Sequence, residues 1–155
     1  MALFLVACLL NAVDVGRFIY QRMQVEYGAQ VGAQAAWKTC YDPGTMLPAT
    51  LNCPQLTAAI TAAIQSTSLG TAVSVATGYP VEGYYCVDSS NALQSVGNLS
   101  SKPADCSAAG NPSRSPGDYI QVAVTFPYAP LFRNLTVMGV SGISSIRMSS
   151  WMRLG

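Results

Sequence analysis

The chain opens on an apolar run that has no charge before Asp14 and only one frankly polar residue, Asn11. No proline interrupts the sequence before Pro43, so we predict one continuous helix to about Lys38, ended by the breakers Asp42, Pro43 and Gly44. At about 1.5 Å per residue the first thirteen residues cover roughly 20 Å, against roughly 30 Å of bilayer hydrocarbon. The run therefore requires lipid, or other copies of itself, to cover it.

Two other interpretations of this run are open. A secretory signal is one, although residues 10–12 make a poor cleavage site and no basic region precedes the run. A buried core helix is the other, although such helices usually show one apolar stripe and not an apolar circumference. We favour a membrane and assembly helix over residues 1–24, followed by an extracytoplasmic domain over residues 25–155. Its candidate residues are Leu3, Phe4, Leu5, Leu9, Leu10, Asp14 and Arg17.

Five cysteines are present, and one of them, Cys8, lies in the apolar run. The chain has no histidine and no Cys-x-x-Cys spacing, so two disulfides in an oxidising compartment are favoured over a zinc site. Four cysteines allow three pairings. We prefer the two local pairings, because each closes a turn-rich loop. These pairings join Cys40 to Cys53 and Cys86 to Cys106.

The second half of the long helix carries small residues on one side, Gly28, Gly32 and Ala36, with Ala29 and Ala33 beside them. Such spacing lets a neighbouring element approach the backbone closely. We expect the domain's own sheet to lie there. For the N-terminal half of the helix we expect no internal partner.

The rest of the chain predicts a second, shorter helix and about four strands. The helix is indicated by Leu56, Ile60 and Ile64 at a spacing of four, with Asn52 as a possible cap and Gly70 as the stop. Alternating or β-branched residues predict strands at 72–76, 81–87, 119–126 and 143–153, and Cys106 should staple the long loop at 89–117. The fold class is α+β, with an antiparallel sheet packed on the distal half of the long helix.

Composition and motifs exclude most chemistry. Without histidine the commonest general base is missing, and no phosphate-binding loop or nucleophile elbow is present. A net charge of +1 with scattered basic residues provides no nucleic-acid surface. We interpret Asp88, Asp105 and Asp118 as solvated loop acids and not as calcium ligands. We therefore expect a non-enzymatic protein with no cofactor, catalytic residue or metal site.

The apolar run ends at Asp14, and Gly16, Arg17 and Tyr20 follow it. Later in the same predicted helix comes an Ala-x-x-Gly-Ala segment formed by Ala29, Gly32 and Ala33. These two short motifs resemble the TadE-like minor pilins or pseudopilins of bacterial tight-adherence pili, which are type IV pilus relatives. Residues 126–131 and the last strand, with Met148, Met152 and Arg153, also look like that family. Gln34 stands where arginine is common in the family, and Leu5 where many mature pilins place Glu.

The resemblance implies a processed prepilin, anchored in the inner membrane and acting in pilus assembly, adhesion or biofilm formation. Its partners would be other pilin or pseudopilin subunits, inner-membrane lipid before assembly, and the pilus assembly machinery. The alternative is a membrane-tethered or secreted binding module, in which Tyr84, Tyr85 and the long loop hold a ligand.

Overall fold

The computed structural model describes residues 2–41 and 46–155, so the predicted breakers Asp42, Pro43 and Gly44 lie outside the described residues. Helix α1 runs without interruption over Ala2–Thr39, as the unbroken sequence predicts. Three shorter helices follow: α2 at Ala49–Asn52, α3 at Leu56–Gln65 and α4 at Val137–Val140. Single 3₁₀ turns lie at Gly70–Ala72 and Ser107–Ala109.

Five strands form one antiparallel sheet around a long central strand, β4. Strand β5 pairs with one edge of β4, while β1 and β2 share the other edge and β3 extends the sheet beyond β2. The strands are β1 Ser74–Val75, β2 Val81–Val87, β3 Leu93–Ser95, β4 Gly117–Pro127 and β5 Ser145–Arg153.

Apolar and polar side chains alternate along β4, and the apolar ones form the centre of the core. Ile120, Val122 and Val124 are fully buried on the face that meets α1 and α3, while Gln121 and Thr125 lie on the opposite face. Leu56, Ile60 and Ile64 of α3 fill the space between the sheet and the distal half of α1. The α+β architecture is confirmed: a long helix, a short helix and an antiparallel sheet, with one strand more than the four expected.

Several boundaries differ from the sequence predictions. Asn52 ends α2 and does not cap α3, whose first residue follows Gln55; the Asn52 amide instead donates to the Leu47 carbonyl oxygen. The predicted loop at 89–117 contains β3, because its backbone completes the free edge of β2. The predicted strand at 72–76 is only two residues long, since a 3₁₀ turn occupies its beginning.

Candidate membrane and assembly surface

The N-terminal end of α1 projects from the domain with apolar side chains in every direction. Phe4, Leu5 and Leu9 are exposed, the last of them by 66%, and Leu10 is half-buried. Leu3 belongs to α1, but its side chain lies outside the description. By length and composition α1 is able to cross a membrane. This end therefore carries the apolar surface that the sequence predicts.

A regular apolar stripe continues along the side of α1 that faces away from the domain. Its members recur at alternating intervals of four and three residues, the spacing of a coiled-coil seam. All are exposed, and Gly16 has no atom of another element within 4 Å of the position a Cβ would take. We call this surface the outward stripe; it consists of Leu9, Val13, Gly16, Tyr20, Met23 and Tyr27.

On the opposite side of the same helix, Asp14 is fully buried. Its carboxylate accepts hydrogen bonds from the backbone N–H of Leu131 (2.9 Å) and Phe132 (3.4 Å) and from the Thr136 hydroxyl (2.5 Å). All three donors belong to the segment between β4 and α4. Asp14 is therefore bound within the subunit.

Two further polar side chains on the same face of α1 bind this segment and the first residue of α4. The Asn11 side-chain oxygen accepts from the Val137 N–H at 2.8 Å, and the Arg17 guanidinium donates to the Ala129 carbonyl oxygen at 3.2 Å. We call the three side chains, Asn11, Asp14 and Arg17, the latch.

The expectation that the N-terminal half of α1 lacks an internal partner is therefore wrong. The signal was present in the sequence, because residues three apart share one face of a helix.

The small-residue face of α1 packs on the domain as expected, but its members differ in how closely they are approached. A Cβ on Gly32 would lie 2.9 Å from Ile64 Cγ2 and 3.2 Å from Val122 Cγ1. Ala36 is fully buried. Gly28 is also buried, yet a Cβ there would meet nothing within 4 Å. Close packing thus depends on Gly32 and Ala36, and not on Gly28.

Both disulfides are present with the predicted pairing, which is consistent with an extracytoplasmic domain. The bond between Cys40 and Cys53 ties the end of α1 to the end of α2. The bond between Cys86 and Cys106 ties β2 to the long loop. Cys8 is a free, exposed thiol on the projecting end of α1.

Two acidic side chains lie close together at the end of the sheet far from the latch, and we did not predict this pair from the sequence. Asp118 is 2% exposed, and within the part of the chain that the structure describes neither of its carboxyl oxygens has a hydrogen-bond partner. Burial raises the pKa of Asp118 to about 7, and the adjoining Glu82 carboxylate adds to the rise. Glu82 itself accepts from the N–H groups of Ala49 and Thr50, both at 2.6 Å.

The interpretation of Asp118 as a solvated loop acid is therefore wrong, because β4 begins at Gly117 and its alternation turns Asp118 inward. Asp88 and Asp105 do lie in loops, where both are half-buried. Hydrogen bonds from Ser90 and from Ser107, respectively, lower the pKa of each of these two carboxyls. No group of three or more potential metal ligands occurs among the residues at 2–41 and 46–155.

The two tyrosines named in the alternative interpretation lie on opposite faces of β2. Tyr84 is buried on the inner face of β2, and its pKa is raised by burial and by the charges of Asp118 and Glu82. Tyr85 lies on the outer face, where its ring meets those of Tyr119 at 5.9 Å and Trp151 at 5.1 Å. The two tyrosines therefore do not form one surface.

Comparison of the chain with protein-family models, with curated proteins and with solved structures found no match.

Proposed function

We propose that this chain is a non-enzymatic pilin-like subunit, of the TadE-like kind, which the inner membrane holds through α1 before assembly. In the assembled state α1 packs against the α1 helices of neighbouring pilin or pseudopilin subunits. The proposal includes a role in pilus assembly, adhesion or biofilm formation. It rests on the geometry of α1 and on the motifs at residues 14–20 and 29–33.

The outward stripe is the observation that carries this proposal. From Leu9 to Tyr27 it extends about 27 Å along the helix, at about 1.5 Å per residue. Tyr20 and Met23 are each 61% exposed, although both lie on the part of α1 that the domain covers from the other side. A helix that served only as a lipid anchor needs no apolar seam beside its folded domain. A seam of this spacing fits the side of another helix.

The two surfaces of α1 have separate roles in this mechanism. The latch and the small-residue face bind the subunit's own domain, so the domain stays folded whether or not neighbours are present. The projecting end is covered first by lipid and then by neighbouring helices, which also cover the outward stripe. Because lipid is already apolar, that exchange is driven by close packing more than by removal of apolar surface from water.

Substitution of single residues of the outward stripe by lysine tests the proposal. We expect Leu9→Lys and Met23→Lys to abolish surface filaments, because each buries an unpaired ammonium between helices. Both side chains are exposed in the subunit, so its folding should be unaffected. Ala62→Lys is the matched control, since it adds the same charge to an exposed position on α3.

Each variant would replace the natural chain in the cells that make it. Filaments are counted by electron microscopy, and non-reducing gels report the amount of membrane-bound, disulfide-bonded subunit. Normal filament numbers in Leu9→Lys and Met23→Lys, at normal subunit levels, would refute the assembly role.

A further inference from the structure

Four exposed aliphatic side chains lie on the segment that follows β4. Leu135 is 67% exposed and Val140 is 73% exposed. Together with Asn11 of α1, Leu135, Val137 and Val140 line an open groove of about 470 Å³. Contiguous apolar surface of this kind marks an interaction site. We call it the apolar foot; it consists of Leu131, Leu135, Val137 and Val140.

The latch fixes the position of the foot along α1. Val137 is bound to Asn11, and Leu131 to Asp14, so the foot lies beside the first residues of α1 that touch the domain. Beyond this level α1 projects with exposed apolar side chains as far as Phe4, about 10 Å further along the helix axis at about 1.5 Å per residue. The foot is therefore continuous with the apolar end of α1.

The backbone of the foot is suited to an apolar medium. Non-helical backbone at the edge of a bilayer needs internal partners for its polar groups, because lipid supplies none. Asp14 accepts from two N–H groups of the foot segment, and Asn11 accepts from a third. Thr136 and nearby carbonyl oxygens accept from four more. The N–H groups with internal acceptors are those of Leu131, Phe132, Leu135, Val137, Gly139, Val140 and Ser141.

Charge in this segment is limited to a single cation. Arg133 is exposed, and it is the only charged residue between Tyr128 and Ile146. A lone guanidinium among aliphatic side chains suits the boundary between acyl chains and lipid phosphates, where arginine can bind a phosphate through two N–H groups.

We propose that the apolar foot is a second membrane contact, which inserts into the boundary between headgroups and acyl chains beside α1. This inference rests on the proposed function, in which lipid holds α1 before assembly. A helix alone leaves the domain free to turn about the helix axis. The foot fixes both the height and the rotation of the domain, and so directs the outward stripe along the membrane plane towards neighbouring subunits.

Depth-dependent tryptophan quenching tests this contact on the full chain. Trp37→Phe and Trp151→Phe remove the native tryptophans. A single tryptophan is then introduced by Leu135→Trp or, in a second variant, by Val140→Trp. Vesicles of phosphatidylethanolamine and phosphatidylglycerol carry lipids brominated on their acyl chains. Val87→Trp is the matched control, because Val87 is an exposed aliphatic residue at the opposite end of the sheet. Leu5→Trp reports on α1.

We expect the tryptophans at positions 135 and 140 to lose most of their emission in brominated vesicles, and the one at position 87 to lose none. If position 5 is quenched but positions 135 and 140 are not, the foot inference is wrong while the anchoring role of α1 stands. If position 5 is also unquenched, both fail. If position 135 is shielded from solvent only in lipid-free filaments, the foot contacts a second subunit and the inference of a lipid contact is wrong.

Discussion

At the residue scale, Asp118 is the group whose surroundings most change its chemistry. Its carboxyl is buried beside Glu82, with its pKa raised to about 7, against about 3.9 in an unfolded chain. Between these two pH values the folded protein retains a proton that the unfolded chain has lost. The contribution of Asp118 to the free energy of unfolding is therefore full below about pH 4 and is lost as the pH rises through 7.

We accordingly expect Asp118→Asn to stabilise the protein at pH 8 and to change it little at pH 5. The amide carries no charge to desolvate, and it can donate to the Glu82 carboxylate. The expected gain is a few kcal/mol, since each unit of pKa shift is worth about 1.4 kcal/mol. Thermal unfolding of both proteins at several pH values measures it.

Asp105→Asn is the control for this experiment. Asp105 is a half-buried residue of the long loop, where the Ser107 hydroxyl donates to its carboxylate, so its replacement should bring no gain at pH 8. An Asp118→Asn protein no more stable than the parent at pH 8 would show that burial of this charge carries no penalty.

At the scale of elements, the contact between α1 and the layer formed by α3 and β4 depends on the size of single side chains. Gly32 lies against Ile64 and Val122, so even a methyl group there requires both neighbours to move. Gly28, one turn earlier, has open space at its Cβ position. Identical substitutions at the two glycines therefore separate close packing from helix propensity.

We expect Gly32→Ala to lower the free energy of unfolding by about 1–3 kcal/mol through overpacking, partly offset by the higher helix propensity of alanine. Gly28→Ala should raise it by about 0.5–1 kcal/mol, because alanine loses less backbone freedom on folding. Denaturant unfolding of the disulfide-bonded chain measures both. Equal effects of the two substitutions would contradict the close approach at Gly32.

At the scale of the whole molecule, the latch connects the projecting end of α1 to the rest of the domain. The segment between β4 and α4 and the first residue of α4 contact α1 through Asn11, Asp14 and Arg17, more than 110 residues earlier in the sequence. Phe18 supports the same junction by packing edge to face on Tyr128, with ring centroids 5.2 Å apart. The domain is thereby held on α1 along both halves of the helix.

We expect Asp14→Asn to loosen this junction, because an amide presents only one acceptor oxygen to three donors. Loss of bonds to a charged acceptor costs about 1.5–3 kcal/mol. Hydrogen exchange should accelerate over residues 131–141 while the centre of β4 remains protected.

Asp88→Asn removes a carboxylate from a loop outside the junction, so exchange at residues 131–141 should stay unchanged in that variant. Unchanged exchange in Asp14→Asn would mean that the latch does not hold the foot segment.

Local sequence determined those features that depend on neighbours along the chain. The absence of proline before Pro43 and the apolar start are enough for α1, and alternation from Ile120 to Val124 is enough for the central strand. The two local cysteine pairs likewise needed only short loops to close. In each of these features, the interactions that favour the structure join residues within about twenty positions of one another.

Only the tertiary structure decided what Asp14, Asp118 and the segment at 131–140 do. Asp14 has its hydrogen-bond partners more than a hundred residues away, and Asp118 is buried at the start of β4, where β2 and α2 bring Glu82 beside it. The outward stripe also became visible only once the domain had covered the other side of α1. Because α1 is apolar on all sides of its N-terminal part, the sequence does not show which side remains exposed. The folded domain decides this, because it can cover only one side of the helix.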